Sequence, residues 1–283
     1  MDRRGQTSPV DLDLPGLAKP VAALGALFAL LAAERLWPAS RWGAGSWRHD
    51  LRNLSLGALN GLIGVALAAW VLPSSDRVDG GVLAVLGTGS LAWWLVGLLL
   101  LDLWTFAWHW LHHALPLLWR VHRVHHSDTA MDASTALRFH PIETTLAALA
   151  RLPLAWALGL SVQHVLIYEV ILLPSILFHH SNLRVSASLD RRLRLLVVTP
   201  ALHRTHHSPV RENCDSNFGS VLSVWDRLFR TLRGAPQAGA EGFGVPGLEG
   251  PRWQSWRGLL ALPFVGPTTR AASDPAPAPP ASR

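Results

Sequence analysis

The pattern His-x-x-His-His occurs twice, at His122/His125/His126 and His203/His206/His207, and an i, i+4 pair, His109/His113, precedes the first copy. On a helix, positions i, i+3 and i+4 share a face, so each triplet is expected to present three imidazoles to one point and the pair two. Imidazole ligates zinc, copper, iron and nickel. Cys214 is the single cysteine, which argues against thiolate-bound zinc and iron–sulfur clusters and leaves histidine as the ligand type. One catalytic zinc takes about three protein ligands, so these eight histidines suggest two metal ions. The zinc-hydrolase pattern His-Glu-x-x-His is absent. The histidines also cluster beyond the ends of apolar segments, unlike haem ligands, which stand singly within spans. The chemistry favoured is a pair of irons activating O2 against an unactivated C–H bond of a lipid, with zinc able to substitute in purified protein.

The elements that must position these side chains read as membrane helices. Residues 17–33 and 54–72 are near-continuous apolar runs, and 82–108 contain a third. A fourth region, 144–178, is apolar but broken by Arg151, Pro153 and His164, the pattern of a hairpin that enters and returns on one side. Thr199-Pro200 reads as a cap and first turn for the helix carrying the second triplet, and Pro116 separates the third span from the helix carrying the first. The expected fold is an all-α integral membrane protein with about four transmembrane helices or hairpin limbs. A cytoplasmic helical cap is expected to carry the His-rich dimetal site.

Charge sets the orientation. Arg35, Arg41, Arg48 and Arg52 crowd the loop between the first two spans, whereas residues 73–90 carry only Arg77 against Asp76 and Asp79. By the bias of basic residues toward the cytoplasm, that first loop is cytoplasmic, and following the chain puts all eight histidines on the same face. The excess of 25 Lys+Arg over 19 Asp+Glu fits a surface against anionic lipid. No basic tract interleaves with aromatics, so no nucleic-acid partner is expected. Residues 1–16 read as an N-terminal tail without signal-peptide character, 17–265 as one membrane-embedded domain, and 266–283 as a disordered Pro/Ala-rich tail. Trp37, Trp42, Trp70, Trp108 and Trp110 stand near span ends, as interfacial anchors do.

His109-x-x-x-His113, LWRVHRVHHS (118–127), RFHPIE (138–143), FHHSNLR (178–184), TPALHRTHHS (199–208) and DSNFGSVLSVWDRLFRT (215–231) together resemble the fatty acid hydroxylase superfamily, in particular its sterol desaturase branch. The resemblance spans about residues 48–233. It implies an integral-membrane, non-haem di-iron enzyme that hydroxylates or desaturates a sterol, fatty acyl chain, carotenoid or ether lipid with O2 and external electrons. It assigns His109, His113, His122, His125, His126, His203, His206 and His207 to the metals. It also adds His180 and His140 as candidate ligands, leaves His179 open, and draws in Glu143, Asp215, Asn217 and Asp226 as groups expected to hydrogen-bond around the site.

Asp102 lies two helical turns before His109 on the same face, where a carboxylate is expected to orient a ligand imidazole. His112, His49 and His164 fall off the pattern and read as structural. The chain has no Gly-x-Gly-x-x-Gly fingerprint and no iron–sulfur cysteines. Electrons are therefore expected from a separate donor, a ferredoxin or cytochrome b5 with its reductase. The alternative from another class is a non-enzymatic, His-rich membrane protein that binds or transports metal. The sequence leaves oligomeric state, lipid and regiochemistry open.

Overall fold

The computed structural model describes residues 25, 27–40, 46–71, 80–234 and 242–265. The N-terminal tail, residues 17–24 of the first apolar run, Arg41, Trp42, Asp76, Arg77, Asp79 and the tail from 266 lie outside them. Among the described residues the protein is helical, with only isolated bridges such as Val197 to Leu222. Helix α1 covers residues 27–36, α2 Trp47–Val71, α3 Leu91–Ala114, α4 Pro116–His126, α5 Pro141–Leu158, α6 Val162–His180, α7 Ala187–Leu193 and α8 Pro200–His206. Among the described residues, three helices are long and apolar enough to cross a membrane, over Trp47–Ala69, Leu91–Ala114 and Val162–His180.

Local chemistry sets the boundaries. The Ser90 side chain accepts from Trp93 N at 3.1 Å and starts α3. The third apolar run is therefore divided: Val82–Leu86 is a separate 3-10 turn, and Gly87 and Gly89, both at positive φ, break the chain before Ser90. Hydropathy cannot see that break, because both pieces are apolar. The second span also starts earlier than its hydropathy suggests, so Arg48 and Arg52 sit in the first two turns of α2 rather than in a loop. The expected hairpin is α5 and α6, joined through Gly159 in the left-handed region and Ser161, which caps α6. Gly81 packs against this tip so closely that a Cβ would lie 2.0 Å from Gly159 N. At the same tip, the His164 ring lies 4.1 Å from Trp94 and 4.2 Å from Trp93.

α3 packs on α4 and α6, α2 on α5, and α6 on α8. Leu101 and Tyr168 lie in the α3–α6 core, while Leu62, Val65, Leu95, Leu99, Ile167 and Ile171 are bare on the outer faces of the three span helices. That pattern suits helices whose outer solvent is hydrocarbon. Trp37 and Trp110 are exposed, as interfacial anchors would be, but Trp108 turns inward, stacks on Trp104 and lines a cavity.

A buried polar network ties the ends of these helices together. His49 Nε2 lies 2.7 Å from Asp128 Oδ1, and the Glu34 carboxylate accepts from Asn182 N at 2.8 Å and Ala133 N at 3.1 Å. Arg138, fully buried, donates to Val124 O and Ser127 Oγ at 3.0 Å each and to Gln254 Oε1 at 2.8 Å. The start of α2 thus meets the chain just after α4, and α1 meets the chain just after α6 through Glu34. One end of the bundle gathers the C-termini of α3, α4 and α6, together with α8.

Candidate metal centre

Nine histidines meet at that end in two groups whose candidate ligand nitrogens lie within 4.8 Å of one another. The first holds His109 and His113 from α3, His122 and His126 from α4, and His206 from α8. The second holds His125 from α4, His180 from α6, and His203 and His207 from α8 and its C-cap. The two abut, with the rings of His126 and His207 stacked at 4.4 Å.

The triplets do not each converge on one point. Successive helical residues are about 100° apart around the axis, so positions i+3 and i+4 diverge. In α4 the i, i+4 pair His122/His126 joins the first group and His125 the second; in α8 the pair His203/His207 joins the second group and His206 the first. Each His-x-x-His-His therefore bridges both groups, with the roles exchanged between the two helices.

The backs of the imidazoles are held by acceptors. Nδ1 of His109 donates to Phe218 O at 2.9 Å, and Nδ1 of His206 to Ser216 O at 2.7 Å. His122 Nδ1 donates to Glu143 Oε1 at 2.6 Å, and His113 Nδ1 lies 3.3 Å from Asp215 Oδ1. His126 Nδ1 is 3.6 Å from Cys214 Sγ. In the second group, His180 Nδ1 donates to Ile176 O at 2.7 Å. A proton fixed on Nδ1 leaves Nε2 with its lone pair, the arrangement a metal-binding imidazole needs.

These residues fit metal ions. Burial, reinforced by neighbouring imidazoles, holds His125, His126, His203 and His207 well below the usual imidazole range, so their rings are neutral donors. His180 Nε2 lies 3.0 Å from both His125 Nε2 and His203 Nε2. With its proton on Nδ1, it faces two further ring nitrogens with a lone pair. Nε2 of His109 and His126 and both nitrogens of His207 are buried without hydrogen-bond partners. Such a collection is costly in a protein interior, and a bound cation offsets that cost.

The turn from Cys214 to Phe218 supplies four of the acceptors behind the first group, and Asn217 holds its shape. Asn217 sits at φ 54°, a conformation asparagine tolerates. Its Nδ2 donates to Leu202 O and Arg233 O at 3.0 and 3.1 Å, and its Oδ1 accepts from Arg233 N at 2.8 Å. Asp226 clamps the next residues by accepting from Phe218 N at 2.7 Å and Gly219 N at 2.9 Å. Asn217→Ala is expected to weaken metal binding about 10- to 100-fold while leaving the helix content intact. Metal titration paired with circular dichroism measures both.

Two expected site residues lie elsewhere. Asp102 does not reach a histidine: it accepts from Trp225 Nε1 at 2.7 Å, Tyr168 Oη at 2.9 Å and Leu222 N at 3.2 Å, and so joins α3 to α6 and to the chain after Gly219. Two turns of rise place it about 10 Å deeper than His109, beyond an imidazole's reach. His140 belongs to neither group; it caps α5, where its Nδ1 accepts from Ile142 N at 3.1 Å and its Nε2 lies 3.3 Å from Leu260 O. Conversely, His112 and His179 line a cavity beside the groups. His112 Nε2 is 3.8 Å from Glu143 Oε1, and the rings of His179 and His203 are 4.0 Å apart. Spacing had set His112 off the ligand face and had left His179 open; adjacency to His113 and His180 was the available signal.

The cavity, of about 200 Å3, runs between α3, α5 and α6. His109, His122, His125, His180 and His203 form its inner end, and Trp104, Ala147 and Leu172 its mostly apolar walls. The arrangement can hold an apolar chain against two adjoining imidazole groups.

Residues 94–231 match the fatty acid hydroxylase family. Among curated proteins, the chain is 31% identical over 154 residues to ornithine lipid hydroxylase OlsE of Rhizobium tropici, covering 54% of this chain and 45% of that protein. It is 33% identical over 146 residues to alkylglycerol monooxygenase of Danio rerio, covering 52% and 31%. It is 31% identical over 156 residues to cholesterol 25-hydroxylase of Rattus norvegicus, covering 51% and 48%. The match spans under half the length of each of these relatives. No solved structure matches the chain.

Proposed function

We propose, on the premise that the chain belongs to the fatty acid hydroxylase family through residues 94–231, that it is an integral-membrane di-iron enzyme that hydroxylates a membrane lipid with O2. The observation that carries this reading is the pair of adjoining imidazole groups at one end of a mostly apolar cavity. His109, His113, His122, His126 and His206 would hold one iron, and His125, His180, His203 and His207 the other. When bound, the irons supply the redox chemistry with O2 that an unactivated C–H bond requires.

The chain's own residues do the rest. Glu143, Asp215 and the carbonyls of Ser216 and Phe218 keep the imidazole protons on Nδ1 and so orient the ligand nitrogens. The cavity walls hold the lipid chain, order the reacting carbon and exclude water. The hydroxylases and monooxygenase among the relatives favour hydroxylation over desaturation. A lining this apolar suits a lipid rather than an ion in transit, which weighs against a metal transporter. The histidine end would face the cytoplasm, where Arg35, Arg48 and Arg52 gather and where a soluble or membrane-bound electron donor can reach it.

The test is metal content together with oxygen consumption by the purified chain in membrane lipid. Two iron equivalents, and O2 uptake that requires both an electron donor and lipid, are expected. A preparation loaded with iron but unable to consume O2 under any donor would contradict the reading.

A further inference from the structure

A charged side chain at hydrocarbon depth is costly and marks function by default. α6 is one of the three helices suited to cross a membrane. Glu169 precedes His180 by eleven residues, about 16 Å along the axis from the metal end. Its carboxylate pairs with Arg151 of α5. Arg151 lines the cavity, eight residues or about 12 Å along α5 from Glu143, and its Nε is buried without a hydrogen-bond partner. The hydroxyls of the other polar groups on this stretch are engaged within the protein: Thr105 donates to Leu101 O, and Thr144 bonds Asn60 and Pro141 O.

We propose that Arg151, held in place by Glu169, recognises an oxygen on the substrate at the end of the cavity away from the metals. The substrate class is a neutral lipid with a hydroxyl or ester oxygen, bound at Arg151 with its reacting carbon at the histidine end of the cavity. Charge decides for a neutral group. Arg151 and Glu169 already neutralise each other, so an anion brought into this mostly apolar cavity would stand uncompensated. A hydroxyl or ester oxygen accepts from the guanidinium, and a hydroxyl can also donate to the carboxylate. Anchored there, the lipid has its reacting carbon set by its length, a ruler between Arg151 and the histidines.

This inference rests on the lipid-hydroxylase reading, but its test needs neither metal nor turnover, so the two fail separately. The full chain in phospholipid nanodiscs is titrated with four C16 probes at equal mole fraction: hexadecan-1-ol, methyl palmitate, palmitate and hexadecane. Binding is read from the rise in melting temperature. The alcohol and the ester are expected to bind about tenfold more tightly than hexadecane. The variant Arg151→Leu/Glu169→Leu is expected to keep hexadecane binding and lose the preference. Should that variant fail to fold, Arg151→Met/Glu169→Gln is read by the same criterion. Equal binding of alcohol and alkane, a preference that survives both substitutions, or palmitate binding tightest would each overturn the proposal.

Discussion

The double variants His122→Ala/His126→Ala and His203→Ala/His207→Ala are each expected to retain about one of two metal equivalents and to lose activity by on the order of 10³ or more. The reasoning is geometric. The i, i+4 pair of α4 serves the first group alone, and the corresponding pair of α8 serves the second alone. Removing the first pair leaves three donors in its group; removing the second leaves only His125 and His180 in the other. The untouched group keeps its full set in both cases. Activity collapses in both, because reaction at a paired centre needs both halves together. His112→Ala, which removes a wall residue belonging to neither group, is expected to retain both equivalents. Loss of both equivalents in either double variant, or retention of both by His203→Ala/His207→Ala, would contradict the division. Metal analysis of the purified variants reads the outcome directly.

Ala147→Phe is expected to lower activity about 100-fold with both metal equivalents retained. Ala147 lines the cavity on α5 and belongs to neither imidazole group. A benzyl group there fills much of a space of about 200 Å3 and displaces the lipid chain from the metal end. Because the cavity already has room, the folding penalty stays at or below the roughly 1–3 kcal/mol of an overpacked core. Product analysis with saturating lipid separates this from a folding defect: the expected variant holds its metals and its melting temperature while turnover falls. Wild-type turnover in Ala147→Phe would show that the lipid reaches the metals by another route.

The clustering histidines and their helical setting were legible in the sequence, because His-x-x-His-His, Thr199-Pro200 and Pro116 carry their geometry in residue identity and spacing. The division of each triplet between two groups was less accessible. It depends on how α4 and α8 face one another, and no local pattern encodes that. The acceptors behind the imidazoles were hidden for a different reason: Phe218 and Ser216 act through backbone carbonyls, which every residue possesses. Asp102 illustrates the converse error. It was expected to orient a ligand imidazole, but depth along the helix sends its carboxylate to Tyr168 and Trp225. Arg151 entered the sequence reading only as a break in an apolar run; its pairing with Glu169 required the α5–α6 hairpin to be folded.

The most direct measurement of the central claim is isotopic. Membranes containing the chain are supplied with an electron donor and ¹⁸O2, and in a parallel sample with ¹⁶O2 in H2¹⁸O, and the lipid extract is examined by mass spectrometry. The account predicts a lipid that gains one oxygen atom, labelled from ¹⁸O2 and not from water, and that is absent with His203→Ala/His207→Ala. A product labelled from water, or one formed equally by that variant, would contradict it.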